Sequence, residues 1–269
     1  MMWQRLALGL SRAALPMLAG CAFLFGSTTP TQPAHAEPAP VVAAAASLRH
    51  ALDDIATAFE QQTGRQVRLT YGATRSLTHQ IENGAPYELF LAADTESVKR
   101  LADKSLTDGE ASVFARGRIV IMAIKGSPVS VDSDLIGLAD ALGSGKVDYV
   151  AIANPEVAPY GRAAQEALQK AGLWESLKKR LVIGENVGQA TQFATTGAAQ
   201  AGIIARSLAV SSNIGPRLSI ALVPDDWHQP INHSMALLKG AGQTARAFAA
   251  FLKSDPGREI LERTGLFAP

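Results

Sequence analysis

From Val41 onward, short apolar runs alternate with segments whose hydrophobic residues recur every three or four positions, the pattern of βαβ units built on a mostly parallel sheet. Residues 41–45 read as a first strand. Ser47 then precedes Leu48, Leu52, Ile55 and Phe59, which share one helical face, and Thr63-Gly64 ends that helix. Residues 67–71 form a second expected strand, followed by Gly72-Ala73-Thr74-Arg75-Ser76 and a short helix carrying Leu77 and Ile81 as far as Gly84. A third strand is expected at 89–92, with a helix around Val98 and Leu101 after Asp94.

The pattern then repeats. A strand at 119–124 crosses into a second domain, which holds a helix near 135–142, strands at 149–153, 181–183 and 202–205, and helices opening at Tyr160 and at Val187. Strands at 218–223 and 235–238 bring the chain back. A helical segment over 245–261, broken at Asp255-Pro256, closes on the first domain. This divides the chain into residues 37–118 plus 231–269 as one lobe and 119–230 as the other. Two crossings between two lobes imply a hinged cleft.

Residues 1–36 stand apart as an export leader, with Arg5 and Arg12, an apolar stretch over 13–26 and a polar segment ending Ala34-His35-Ala36. Two readings of its processing stand side by side. Small residues at Ala34 and Ala36 fit cleavage before Glu37, while Leu18-Ala19-Gly20-Cys21 resembles a lipoprotein box with the sole cysteine as lipid anchor. The apolar span is shorter than the ~20 residues a membrane-crossing helix needs. Both readings put the mature protein outside the cytoplasm, and a single cysteine allows no internal disulfide.

At 269 residues and 47% hydrophobic, the chain is long enough for two ordinary cores. Loss of Arg5 and Arg12 with the leader takes the net charge from +1 to −1, and no long basic run remains. That balance gives no electrostatic footprint for nucleic acid. A monomer is expected.

Four strand-to-helix junctions carry the chemistry: Ala46-Ser47, Ala73-Thr74-Arg75-Ser76, Pro159-Tyr160-Gly161 and Asn186-Val187-Gly188, two in each lobe. A helix N-terminus presents unbonded N–H groups and roughly half a positive charge. Singly, Ser47 and Thr74 read as ordinary helix caps. Four such ends facing one cleft enclose a small oxyanion and satisfy its oxygens with neutral donors, and Tyr160 adds a hydroxyl.

Rival chemistries fit less well. Ser47, His50 and Asp53 fall on roughly one helical face, but successive turns of one helix do not orient a nucleophile on its base, and no Gly-x-Ser-x-Gly elbow occurs, so no enzyme is expected. His228 and His233 lie five apart around Pro230, a poor zinc spacing, and read as part of a connecting segment near the hinge. No cofactor is implied. Asp94 reads as a helix cap, and both it and Glu185 are expected to point away from the cleft.

Ala43-Ala44-Ala45-Ala46-Ser47-Leu48, Tyr71-Gly72-Ala73-Thr74-Arg75-Ser76-Leu77, Gln80 to Pro86, Leu89-Phe90-Leu91-Ala92-Ala93-Asp94 and the Asn154 to Leu168 stretch together resemble the periplasmic molybdate-binding proteins of ABC importers. The similarity runs in order from Val41 to the C-terminus. It implies a two-lobed type II periplasmic binding protein fold, α/β, with two mostly parallel sheets flanked by helices and a ligand cleft between the lobes. It also implies capture of molybdate or tungstate, bound as the oxyanion without direct protein ligation of the metal, and delivery to an ABC permease and its ATPase.

Carried over by position, the resemblance gives Ser47 a hydroxyl and an N–H toward the anion, Thr74 the hydroxyl that serine commonly supplies, Tyr160 a phenol and Val187 a backbone N–H. Where some members have a tyrosine after a Gly-Ile-Ile-like strand, this chain has Ala205, which leaves Tyr160 to take that place. Arg75 stands where many members have a small polar residue. Pointed at the anion, it would favour another small oxyanion or a small acid; pointed out of the first helical turn, it would be a bystander.

Overall fold

The computed structural model describes residues 38–211 and 214–269; the leader and its Cys21 lie outside them. The chain starts with β1 (Val41–Ala45), all apolar and almost wholly buried, as befits a strand covered on both faces. A single 3-10 turn leads into α1 (Arg49–Thr63), which ends on Gly64 in the left-handed region, its N–H on the Glu60 carbonyl. There follow β2 (Arg68–Gly72), α2 (Thr74–Glu82), β3 (Leu89–Ala92), α3 (Glu96–Asp103) and β4 (Thr107–Gly117). After Arg118 come β5 (Ile119–Ile124), α4 (Ile136–Gly143), β6 (Val150–Ala153), α5 (Pro159–Lys170), the single turn α6 (Trp174–Leu177), β7 (Leu181–Gly184), α7 (Val187–Thr196), β8 (Ala201–Ala205), α8 (Arg206–Ala209) and β9 (Leu218–Leu222). The chain returns through β10 (Ile231–Leu238) and closes with α9 (Gln243–Lys253) and α10 (Asp255–Arg263).

The strands form two five-stranded sheets, ordered β2-β1-β3-β10-β4 and β7-β6-β8-β5-β9. In each sheet four strands run the same way and one, β10 or β5, runs against them, so the sheets are mixed but mostly parallel in strand direction, as expected. In each, the pairs linked by a helical crossover are parallel (Val41↔Arg68, Val42↔Leu89; Val150↔Leu181, Val150↔Ala201). The strands next to the crossings are antiparallel: β10 pairs so with β3 and β4, and β5 with β8 and β9. A strand entering from the other half of the molecule has no helix to carry it back to the same end, so it lies against its neighbour in reverse.

Two segments escape the hydrophobic pattern. β4 is an edge strand whose first residues are solvated, and only Phe114, Ala115 and Gly117 near its end are buried, so no apolar run marks it. β10 begins four residues earlier than expected, at Ile231, with Asn232, His233 and Ser234 interrupting the run; His233 and Ser234 are buried all the same. The C-terminal helix is two helices, separated where Ser254 caps the second and Pro256 sits in its first turn.

Phe59 of α1 meets Phe248 and Phe251 of α9 edge-on, with ring centroids 5.3 and 5.7 Å apart, and these contacts seat the C-terminal helices against the first sheet. The four predicted junctions lie at the carboxyl ends of β1, β2, β6 and β7, where helices begin.

Candidate oxyanion-binding site

Those four ends meet. A small cleft of about 190 Å³, counting its mouth, is lined by Ala45, Ala46 and Ser47, by Gly72, Ala73 and Thr74, by Ala158, Pro159 and Tyr160, and by Asn186 and Val187, with Ala93 from the end of β3. Every lining residue is neutral. Half of the lining residues are alanine or glycine, which lets the chain segments approach a common point.

Ser47 is buried, and its Oγ lies 3.0 Å from His233 Nε2. Its carbonyl accepts a 2.7 Å hydrogen bond from Ser207 Oγ at the start of α8. Thr74, equally buried, accepts the Ala93 amide on Oγ1 at 3.1 Å, which leaves its own hydroxyl proton to donate. Asn186 caps α7 by accepting the Gly188 and Gln189 amides at 2.9 and 3.1 Å. The Val187 amide, which precedes both, is left as the helix-end donor at the cleft.

Tyr160 is the second residue of α5 and 2% exposed. Its hydroxyl has no hydrogen-bond partner among the described residues. Burial pushes the phenol well above its usual titration range, outweighing the nearby Ser47 hydroxyl, which acts the other way, so Tyr160 stays a neutral donor. The room for it comes from Gly117, the last residue of β4: a Cβ there would lie 2.0 Å from Tyr160 Oη.

Arg75 does not enter the cleft. Its guanidinium reaches Glu96 at 3.3 Å and the Glu156 carbonyl at 3.4 Å, while its backbone N–H donates to the Val157 carbonyl at 3.1 Å. Arg75, with Arg162 adding to it, holds the Glu96 carboxyl below the usual carboxylate range. Asp94 caps α3, accepting the Ser97 amide at 2.8 Å, with its other oxygen 3.6 Å from Arg162, and Glu185 is exposed. No carboxylate is therefore among the residues that line the cleft.

His233 corrects the reading of it as part of a connecting segment. It belongs to β10; it is fully buried, and its ring stands 5.9 Å from that of Tyr160. The available signal was period-two placement between Ile231 and Met235, which puts a histidine on a buried strand face. His228 lies outside the strand, its Nδ1 2.8 Å from the Gln229 carbonyl. Among the described residues, no three His, Cys, Asp or Glu side chains gather as a metal site requires.

Desolvation alone drives the His233 pKa down to about 3, so the ring is neutral. The unfolded chain takes up this proton near pH 6.5, the folded chain only near 3. Between those values the unfolded state binds more protons, and stability falls as pH falls. From pH 7 to 5 the loss is about 2 kcal/mol. Urea unfolding across that range should show it, and His233→Phe should flatten the slope; an unchanged slope would exclude His233 as its source.

The model of the bacterial extracellular solute-binding protein family matches residues 40–267. This chain belongs to that family. Among curated relatives, this solute-binding protein is 34% identical to the molybdate-binding protein ModA of Rhodobacter capsulatus over 228 residues, covering 84% of this chain and 86% of the relative. It is 36% identical to ModA of Azotobacter vinelandii over 227 residues, covering 83% and 88%. The solved periplasmic molybdate-binding protein of Azotobacter vinelandii superimposes with a TM-score of 0.76 at 27% identity, over 86% of this chain and 99% of that one. As a member of the solute-binding proteins, the chain is a transport component and not an enzyme.

Proposed function

We propose that this protein captures molybdate in the cleft between its two sheets and delivers it to an ABC permease driven by an ATPase at the inner membrane. The observation that carries the reading is a cleft offering hydrogen-bond donors and no charged side chain: the hydroxyls of Ser47, Thr74 and Tyr160 and the amide of Val187. An anion that carries no proton needs donors on every oxygen, whereas a protonated phosphate also needs an acceptor. The Asn186 side-chain oxygen is already occupied by two amides, and Asp94 faces elsewhere. Relatives named for molybdate binding support the choice of anion. Tungstate, with the same charge and shape, fits the same donors.

In this reading the lobes comprise residues 37–118 plus 231–269 and residues 119–230, closing about the two crossings, and the mature protein works in the periplasm as a monomer. The rival reading, a different small oxyanion or small acid held by Arg75, is disfavoured by the engagement of that guanidinium with Glu96 and Glu156.

Isothermal titration with molybdate, tungstate, sulfate and phosphate at one pH and salt concentration tests the proposal. The first two should bind tightly and phosphate should be silent. Ser47→Ala should weaken molybdate by about 1–2 kcal/mol, roughly tenfold, by leaving a ligand oxygen unpaired. Unchanged affinity in that variant would remove Ser47 from the site.

A further inference from the structure

We propose that His233 is a positioning residue that turns the Ser47 hydroxyl into a donor and so tunes the cleft toward anions without protons. The inference rests on the oxyanion reading above and deepens it. A serine hydroxyl has one proton and can send it only one way. With Nε2 of a neutral His233 3.0 Å from Ser47 Oγ, two arrangements exist. Either the hydroxyl donates to the ring and offers the cleft a lone pair, or Nε2–H donates to Oγ and the hydroxyl proton is left for the cleft.

The surroundings of the ring decide between them. Nδ1 is buried with no partner among the described residues. The ring packs against Phe114 (6.1 Å between centroids) and Tyr160, with its Cε1 beside the space a Gly117 side chain would fill, and Nδ1 finds no acceptor there. A proton on Nδ1 would be an orphaned buried donor, which is costlier than an orphaned acceptor on an aromatic ring. The proton therefore sits on Nε2, directed at Ser47. Thr74 is set in the same manner by the Ala93 amide, so a side chain does for Ser47 what the backbone does for Thr74.

His233 also comes from the returning strand β10, while the Tyr160 phenol beside it comes from α5. One ring thus fixes a donor on the first sheet's side and packs against a donor from the second.

A double-mutant cycle read by titration with molybdate tests this. His233→Phe should weaken binding about tenfold, and His233→Gln, whose amide can still donate, should recover most of the loss. In a Ser47→Ala background, His233→Phe should cost nothing further. An equal loss with and without Ser47, or no loss at all, overturns the inference while leaving the oxyanion reading in place. Silence of the wild-type protein toward all four anions overturns both. Nitrogen-15 spectra of the wild-type histidines give an independent check that needs no variant: His233 should appear as the neutral Nε2–H tautomer, and the Nδ1–H form would overturn the proposal.

Discussion

Gly117→Ala should abolish tight molybdate binding while leaving most of the fold standing. The added Cβ would lie 2.0 Å from Tyr160 Oη, 2.9 Å from Tyr160 Cζ and 2.9 Å from His233 Cε1. No rotamer of a single methyl relieves three such contacts, so the phenol must leave its place or β4 must shift. Both outcomes remove a donor and disturb the ring that faces Ser47. Overpacking of this kind costs about 3 kcal/mol of stability, while the loss of one or two donors to the anion, about 1.5–3 kcal/mol each, weakens binding roughly a hundredfold. Gly117 has no left-handed φ, so backbone conformation does not forbid alanine, and the penalty comes from space alone. Pairing the substitution with Tyr160→Phe separates the two causes. If the hydroxyl is what clashes, the double variant should be more stable than Gly117→Ala yet still bind weakly, and tight binding by Gly117→Ala would exclude the arrangement.

Gly161→Ala should act on stability first and on binding as a result. The helix α5 begins so close to the end of β6 that a Cβ at Gly161 would stand 2.3 Å from the Ala153 carbonyl oxygen and 2.7 and 2.8 Å from the carbonyl carbons of Ala153 and Asn154. All three are backbone atoms, held by the Asn154 N–H bond to the Gly184 carbonyl and by the Ala158 N–H bond to the Asn154 carbonyl. The helix must therefore move away from the sheet, carrying Tyr160 out of the cleft. A loss of about 3 kcal/mol or more is expected, which for a chain of this size lowers the melting temperature by roughly 10 °C. Thermal unfolding of the variant beside the wild type measures it, and a shift of a degree or two would show that the helix N-terminus is loosely seated.

Much of this architecture is legible in the order of residues alone. β1, β3, β6 and β8 are buried almost throughout, and a strand buried on both faces writes itself as an unbroken apolar run. The donors of the proposed site are legible because each occupies a local motif, a small or hydroxyl residue where a strand gives way to a helix, and the structure brings Ser47, Thr74, Tyr160 and Val187 around one cleft. The one reversed strand in each sheet is less so, since parallel and antiparallel neighbours have similar composition and only the long-range courses of β5 and β10 set the difference. The edge strand β4 is hidden by its solvated face. His233 and Gly117 are hidden for a related reason: their meaning lies in contacts with residues 186 and 43 positions away, and nothing nearby in sequence announces a histidine behind a serine or a hole shaped for a phenol.

The division of the donors has a consequence for unloading. Ser47 and Thr74 follow strands of one sheet, and Tyr160 and Val187 follow strands of the other. On the proposed reading, parting the two halves by even a few ångström strips the anion of half its hydrogen bonds at once. Two charge-assisted bonds correspond to about 3–6 kcal/mol, or roughly 10²- to 10⁴-fold in affinity. With no ion pair to the cargo to be broken, a membrane partner that pries the jaws apart needs no chemical competitor to take the cargo: geometry alone turns a tight holder into a weak one.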